Sequence, residues 1–98
     1  MNNAEIQEHL LFITKRKVQT LHSENIRGVT AVWKNDTAYI TFYFAKPPTE
    51  IEQEDASVIC TEIVAHMPRG MLEDQYFTLE VSKPLPSDFL AYNREIKI

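Results

Sequence analysis

Between residues 47 and 68 the chain reads PPTEIEQEDASVICTEIVAHMP, which sets Glu50, Glu52, Glu54, Asp55 and Glu62 around one cysteine, Cys60, and one histidine, His66. Side chains of these types could carry acid–base, nucleophilic or metal chemistry, and their spacing decides which. Glu62 and His66 stand four apart, one turn of a helix, where a hydrogen bond can form; that spacing serves a surface contact more often than a catalytic dyad. No H-x-x-x-H or C-x-x-C occurs, and the three histidines lie in separate segments, so the pattern predicts no metal site. Neither G-x-S-x-G nor a P-loop is present, and the only glycines are Gly28 and Gly70. Paired carboxylates for glycoside hydrolysis are not ruled out by spacing, but so few glycines leave little from which to build a substrate cleft. The expectation is a protein that is not an enzyme, with no catalytic residues, metal or cofactor.

The acids take their meaning from the element that carries them. Pro47-Pro48 stops what precedes, because neither can donate to a sheet ladder. Thr49 and Glu52 form a T-x-x-E capping box, and Glu50 and Glu52 favour the positive end of a helix. From there Ala56, Ile59, Cys60, Ile63, Val64 and Met67 recur at helical spacing, and Pro68 and Gly70 end the run. Cys60 falls on the apolar stripe and reads as a small core residue. Glu50, Glu52, Glu54, Asp55 and Glu62 fall mostly off it, as a solvated face or as a grip for a partner.

An earlier helix is predicted over residues 3–22, with Asn2 and Glu5 at capping-box spacing and HSEN, His22 to Asn25, closing it. Its stripe runs through Ile6, Leu10, Leu11, Ile13, Val18 and Leu21; Lys15, Arg16 and Lys17 make a solvated basic face. IRGVTAVW and TAYITFYF, split by the polar turn Lys34-Asn35-Asp36, read as a hairpin. In it Val29, Ala31 and Trp33 alternate with Gly28, Thr30 and Val32, while Ala38, Ile40, Phe42 and Phe44 oppose Tyr39, Thr41 and Tyr43. A third strand is predicted over Gln75 to Ser82 with Phe77, Leu79 and Val81 inward, and FLAYNREIKI as a final edge strand. The fold class that follows is α+β, in the order α-β-β-α-β-β: an antiparallel sheet of about four strands with both helices on one face.

Ninety-eight residues, 44% hydrophobic and 24% charged, describe one small domain, residues 1–98, with a core and no large cavity. No basic region leads into an apolar run at the start, no stretch is long enough to cross a membrane, and a lone cysteine suits a reducing compartment; the expected location is cytoplasmic. Residues 1–46 carry +2 and residues 47–98 carry −6, for a net −4. That balance argues against nucleic acid as partner and suits a basic protein. A second candidate grip is the aromatic sheet face of Tyr39 and Tyr43, with Trp33 beside them, since rigid aromatic side chains anchor interfaces.

From Ile26 to Glu95 the chain resembles small bacterial immunity proteins of contact-dependent growth inhibition systems. The residues that carry the resemblance are IRGVTAVW, ITFYF, PPTEIEQEDAS leading into TEIVAHMP, and the closing KPLPSDFLAYNREI. One departure is that Asn93 stands between Tyr92 and Arg94, where the family has a further basic residue. The resemblance implies an α+β domain without enzymatic activity that binds the C-terminal toxin domain of its cognate system. Such toxins are commonly nucleases with basic clefts. The partner-binding residues expected on charge and aromatic character are Glu50, Glu52, Glu54, Asp55, Glu73, Asp74, Tyr39 and Tyr43, in a monomer or a one-to-one complex. The alternative is a generic interaction or homodimerising module that offers an unpaired strand edge.

Overall fold

The computed structural model describes residues 2–21, 23–68 and 70–94. Helix α1 spans Asn3–Val18, followed by strands β1 (Ile26–Lys34) and β2 (Thr37–Phe44), helix α2 (Glu50–Val64), and strands β3 (Leu72–Thr78) and β4 (Leu90–Asn93). The order is therefore α-β-β-α-β-β, as expected. Both helices begin in complete capping boxes: the Asn2 side chain accepts from the Glu5 N–H, the Thr49 side chain accepts from the Glu52 N–H, and each glutamate returns the bond to its cap. Helix α1 ends at Val18, short of the predicted residue 22. Thr20 and Leu21 tighten into the turn that follows, and His22 lies outside the described residues.

The hairpin forms as read. Asn35 and Asp36 sit at φ 52° and 56°, the two positive angles a type I′ turn requires, and they are among the residue types that tolerate them best. Register pairs Val29 with Phe42, Ala31 with Ile40 and Trp33 with Ala38, which puts the large apolar side chains of both strands on one face. The stripes of α1 (Ile6, Leu10, Val18) and α2 (Ala56, Ile59, Cys60, Ile63) join them in one buried cluster, so both helices cover that face. Trp33 belongs to this core and not to the aromatic outer face where the sequence reading set it.

Two corrections concern the sheet. It is mixed, in the order β3-β2-β1-β4, because β3 runs parallel to β2. The connection explains this: α2 has 15 residues, about 22 Å of rise, enough to return the chain to the end from which β2 started. The third strand also begins earlier than predicted and has the opposite phase. Leu72 and Tyr76 pack against the core, whereas Phe77, expected inward, is 49% exposed on the other face. Leu79 and Val81 belong to the connection that follows. Strand β4 is an edge strand as expected, and the last part of the predicted strand, Glu95 to Ile98, lies outside the described residues.

Side chains complete the sheet where strands fall short. Strand β4 reaches only as far as Thr30 along β1, with Ala31 N–H donating to the Phe89 carbonyl. Beyond that point the Gln7 amide of α1 takes over: its Nε2 donates to the Ala31 carbonyl at 3.0 Å and its Oε1 accepts from the Trp33 N–H at 2.7 Å. One side chain thus stands in for a missing stretch of strand. Glu at position 7 keeps the acceptor but turns a carboxylate oxygen toward the Ala31 carbonyl. Gln7→Glu is expected to cost about 2 kcal/mol in denaturant unfolding, and a loss within error would show that water satisfies this edge equally well.

Candidate partner-binding surfaces

The eight residues proposed from sequence do not form one surface. Helix α2 lies on the covered face of the sheet and points Glu50, Glu54 and Asp55 outward, all exposed. Two exposed apolar side chains, Ile51 (70%) and Val58 (60%), stand on the same helix, so its outer surface is mixed rather than uniformly acidic. Tyr39, Tyr43 and Glu73 lie on the opposite face, left uncovered by the helices, although Leu85 of the β3–β4 connection reaches over its β1 side at Gly28. There the rows Val32–Tyr39–Glu73, Thr30–Thr41–Gln75 and Gly28–Tyr43–Phe77 cross β1, β2 and β3. The Tyr43 and Phe77 rings stack at 6.1 Å with 24° between planes, a rigid half-open aromatic pair.

Glu52 is occupied by the fold. Its carboxylate accepts from the Thr49 N–H at 2.9 Å, from the Ser23 hydroxyl and from Asn25 Nδ2 at 3.4 Å. Asn25 in turn exchanges hydrogen bonds with the Lys46 backbone, so this knot ties the start of α2 to the chain between α1 and β1. Partial burial opposes ionisation of Glu52, but the hydrogen bonds from Ser23, Thr49 and Asn25 outweigh it and hold its pKa below the ordinary 4.5. A carboxyl depressed in this way contributes stability above its unfolded pKa and loses it as pH falls through the folded value. Stability is therefore expected to decline as pH falls below 4.5. Urea midpoints for wild type and Glu52→Gln should converge between about pH 5 and pH 3, because the substitution removes the group that titrates. Parallel curves over that range would assign the acid loss to other carboxylates.

Asp74 and Cys60 form a separate arrangement at the β3 edge. Asp74 lies on the helix side of the sheet, at the mouth of a shallow groove between α2 and β3 lined by Ser57, Cys60, Thr61, Val64 and Leu72. It accepts a 2.5 Å hydrogen bond from the Tyr76 hydroxyl. Burial first, and then the Asp74 carboxylate, pushes the Cys60 thiol up to about 12, which keeps it protonated and unreactive at neutral pH. Burial and the Asp74 bond likewise raise the Tyr76 phenol. Glu62 and His66 are both exposed at the end of α2. Among the described residues, no three His, Cys, Asp or Glu side chains gather as metal ligands, and no helix is long and apolar enough to cross a membrane.

Sequence reasoning passed over the residues that hold the uncovered face in shape. Arg27 sits at a β-bulge, where the β1–β2 register shifts between Ile26 and Gly28, and is buried. Its guanidinium donates to the Leu79 and Glu80 carbonyls at 3.1 and 2.8 Å, which pins the β3–β4 connection. Arg94, in the closing motif, donates to the Ser23 carbonyl at 3.0 Å and so ties the end of β4 to the α1–β1 connection. The only signal of these roles in the sequence is an arginine near the start of β1 and another just past the end of β4.

Among curated proteins no match is found. A family model described as MafI2 immunity protein matches residues 7–94, which reach from the first turns of α1 through the whole of β4. The match takes in most of α1, all of α2, the four described strands and both candidate surfaces, and the chain belongs to the MafI2 immunity protein family, the neutralising half of a toxin system.

Proposed function

We propose that this protein is a single-domain, non-catalytic inhibitor that binds the C-terminal domain of its cognate toxin one to one in the cytoplasm. We take that domain to be a nuclease with a basic cleft. The observation that carries the reading is the family match, which supplies the immunity role. The charge supports the choice of partner: −4 overall, with −6 in the half that holds α2, β3 and β4. The two surfaces then divide the work. Glu50, Glu54 and Asp55 on α2 steer a basic partner during approach, and the rigid face around Tyr39, Tyr43 and Glu73 holds it after contact. Contact-dependent delivery of the toxin, implied by the sequence resemblance, is part of the proposal. An upstream gene for a large exported protein ending in a toxin domain supports it, and a neighbourhood without one removes it.

The reading is tested by a pull-down from the source bacterium with this chain as bait, followed by co-expression with the recovered toxin domain. Equal stoichiometry and restored growth are expected; growth arrest that persists would end the immunity reading for that toxin. Steering has its own signature. Reversing Glu50, Glu54 and Asp55 together to Lys should slow association about tenfold at low salt, leave dissociation unchanged, and lose its effect as ionic strength rises. A change confined to dissociation would place α2 inside the interface instead.

A further inference from the structure

Strand β3 is an edge of the sheet, and its hydrogen-bond phase shows which of its groups are open. At one end the Ala38 N–H donates to the Met71 carbonyl at 3.0 Å, and at the other the Leu79 N–H donates to the Phe44 carbonyl at 2.7 Å. With Ala38 paired to Leu72 and Phe44 to Thr78, the odd residues of β3 turn their backbone groups to β2. Leu72, Asp74, Tyr76 and Thr78 therefore turn theirs away from the sheet, and among the described residues β3 pairs with β2 alone. Seven residues of unpaired edge without proline or bulge form a template for another strand.

Charge selects the occupant. Strand β3 carries Glu73 on the uncovered face and Asp74 on the helix side, with no cation of its own. A second copy pairing here would gather four carboxylates in one small patch, which disfavours self-association. A strand carrying consecutive cationic residues meets the opposite situation. One cation faces Glu73 on the outer face, and its neighbour enters the α2–β3 groove beside Asp74 with its stem along Leu72 and Val64. Resting on the immunity reading above, we infer that the toxin domain docks by adding a basic strand to the open edge of β3. The docked strand extends the aromatic face past Phe77 and makes a five-stranded sheet.

The test is residue-resolved amide exchange of the full chain, free and bound to the catalytically inactivated C-terminal domain of the toxin encoded beside its gene. Strand addition predicts an alternation: amides of Leu72, Asp74, Tyr76 and Thr78 slow at least about tenfold on binding, while those of Glu73, Gln75 and Phe77, already bonded to β2, change little. Thr78→Pro removes one open donor and no bond to β2, so it should leave the fold intact and weaken binding about tenfold. Asp74→Arg should weaken it about a hundredfold, mainly through faster dissociation, with the native spectrum confirming the fold. A toxin domain that binds while the even amides exchange at their free rates overturns the strand addition and leaves the immunity role standing. The same alternation appearing in the free chain as concentration rises, with a dimer in sedimentation, replaces the toxin by a second copy and also overturns it. A toxin domain that neither binds nor is neutralised takes down the immunity reading itself.

Discussion

Replacing Tyr39 and Tyr43 together by alanine is expected to weaken the toxin complex by about a thousandfold while the isolated protein stays folded. Each ring lies half-buried on the face the helices leave uncovered, Tyr39 between Val32 and Glu73 and Tyr43 between Gly28 and Phe77. Tyr43 is held against Phe77 before any partner arrives, so little side-chain freedom is lost on binding. Aromatic anchors of this kind cost about 2 kcal/mol or more each when truncated, and two of them give the thousandfold figure. The cost to folding is smaller, on the order of 1 kcal/mol for each cross-strand pair, because neither ring enters the helix-covered core. Calorimetry on the complex and denaturant unfolding of the free variant separate the two effects. Unchanged affinity would take the sheet face out of the interface and move the holding contacts to Ile51 and Val58 on α2.

The second large effect concerns folding. Gly28→Val is expected to destabilise the protein by about 3 kcal/mol, and Gly28→Ala by about 1 kcal/mol. The reason is space and not backbone angle. A Cβ at position 28 would lie 2.9 Å from the Tyr92 carbonyl oxygen and 3.0 and 3.2 Å from the two methyls of Leu85. Leu85 can swing aside, but the carbonyl belongs to β4, which is laddered to β1 and packed against α1. The added atoms therefore pry β4 from the sheet. Combining Gly28→Ala with Leu85→Ala should recover only part of the loss, since the backbone obstacle remains. Full recovery would make Leu85 the sole obstruction and leave β4 undisturbed. In this chain the backbone at Tyr92 thus runs so close to β1 that position 28 has no room for a side chain.

Local chemistry settled much of this molecule. Asn2 with Glu5 and Thr49 with Glu52 started the helices where their spacing said they would, because a capping box satisfies its donors within one turn. Asn35-Asp36 made the hairpin because both tolerate the positive φ of its turn, and strict alternation in TAYITFYF put the correct four side chains inside. The stripe through Ala56, Ile59, Cys60 and Ile63 likewise assigned the cysteine to the core, and it is buried there. What had to wait for the tertiary structure was everything set by contacts distant in the chain. The phase of β3 is decided by its pairing with β2, not by its own composition: Leu72 and Tyr76 face in because Ala38 and Phe42 lie beside them, and Phe77 is left outside against Tyr43. Its direction is decided by the length of α2. The acids, alike in sequence, are sorted by position into three kinds: Glu52 consumed by a knot of hydrogen bonds, Glu50, Glu54 and Asp55 on an outer helix face, Glu73 and Asp74 on either side of an open edge. Sequence spacing tells which residues share a helix face or a strand face; only the packing of those faces against one another tells which of them remain free to meet a partner.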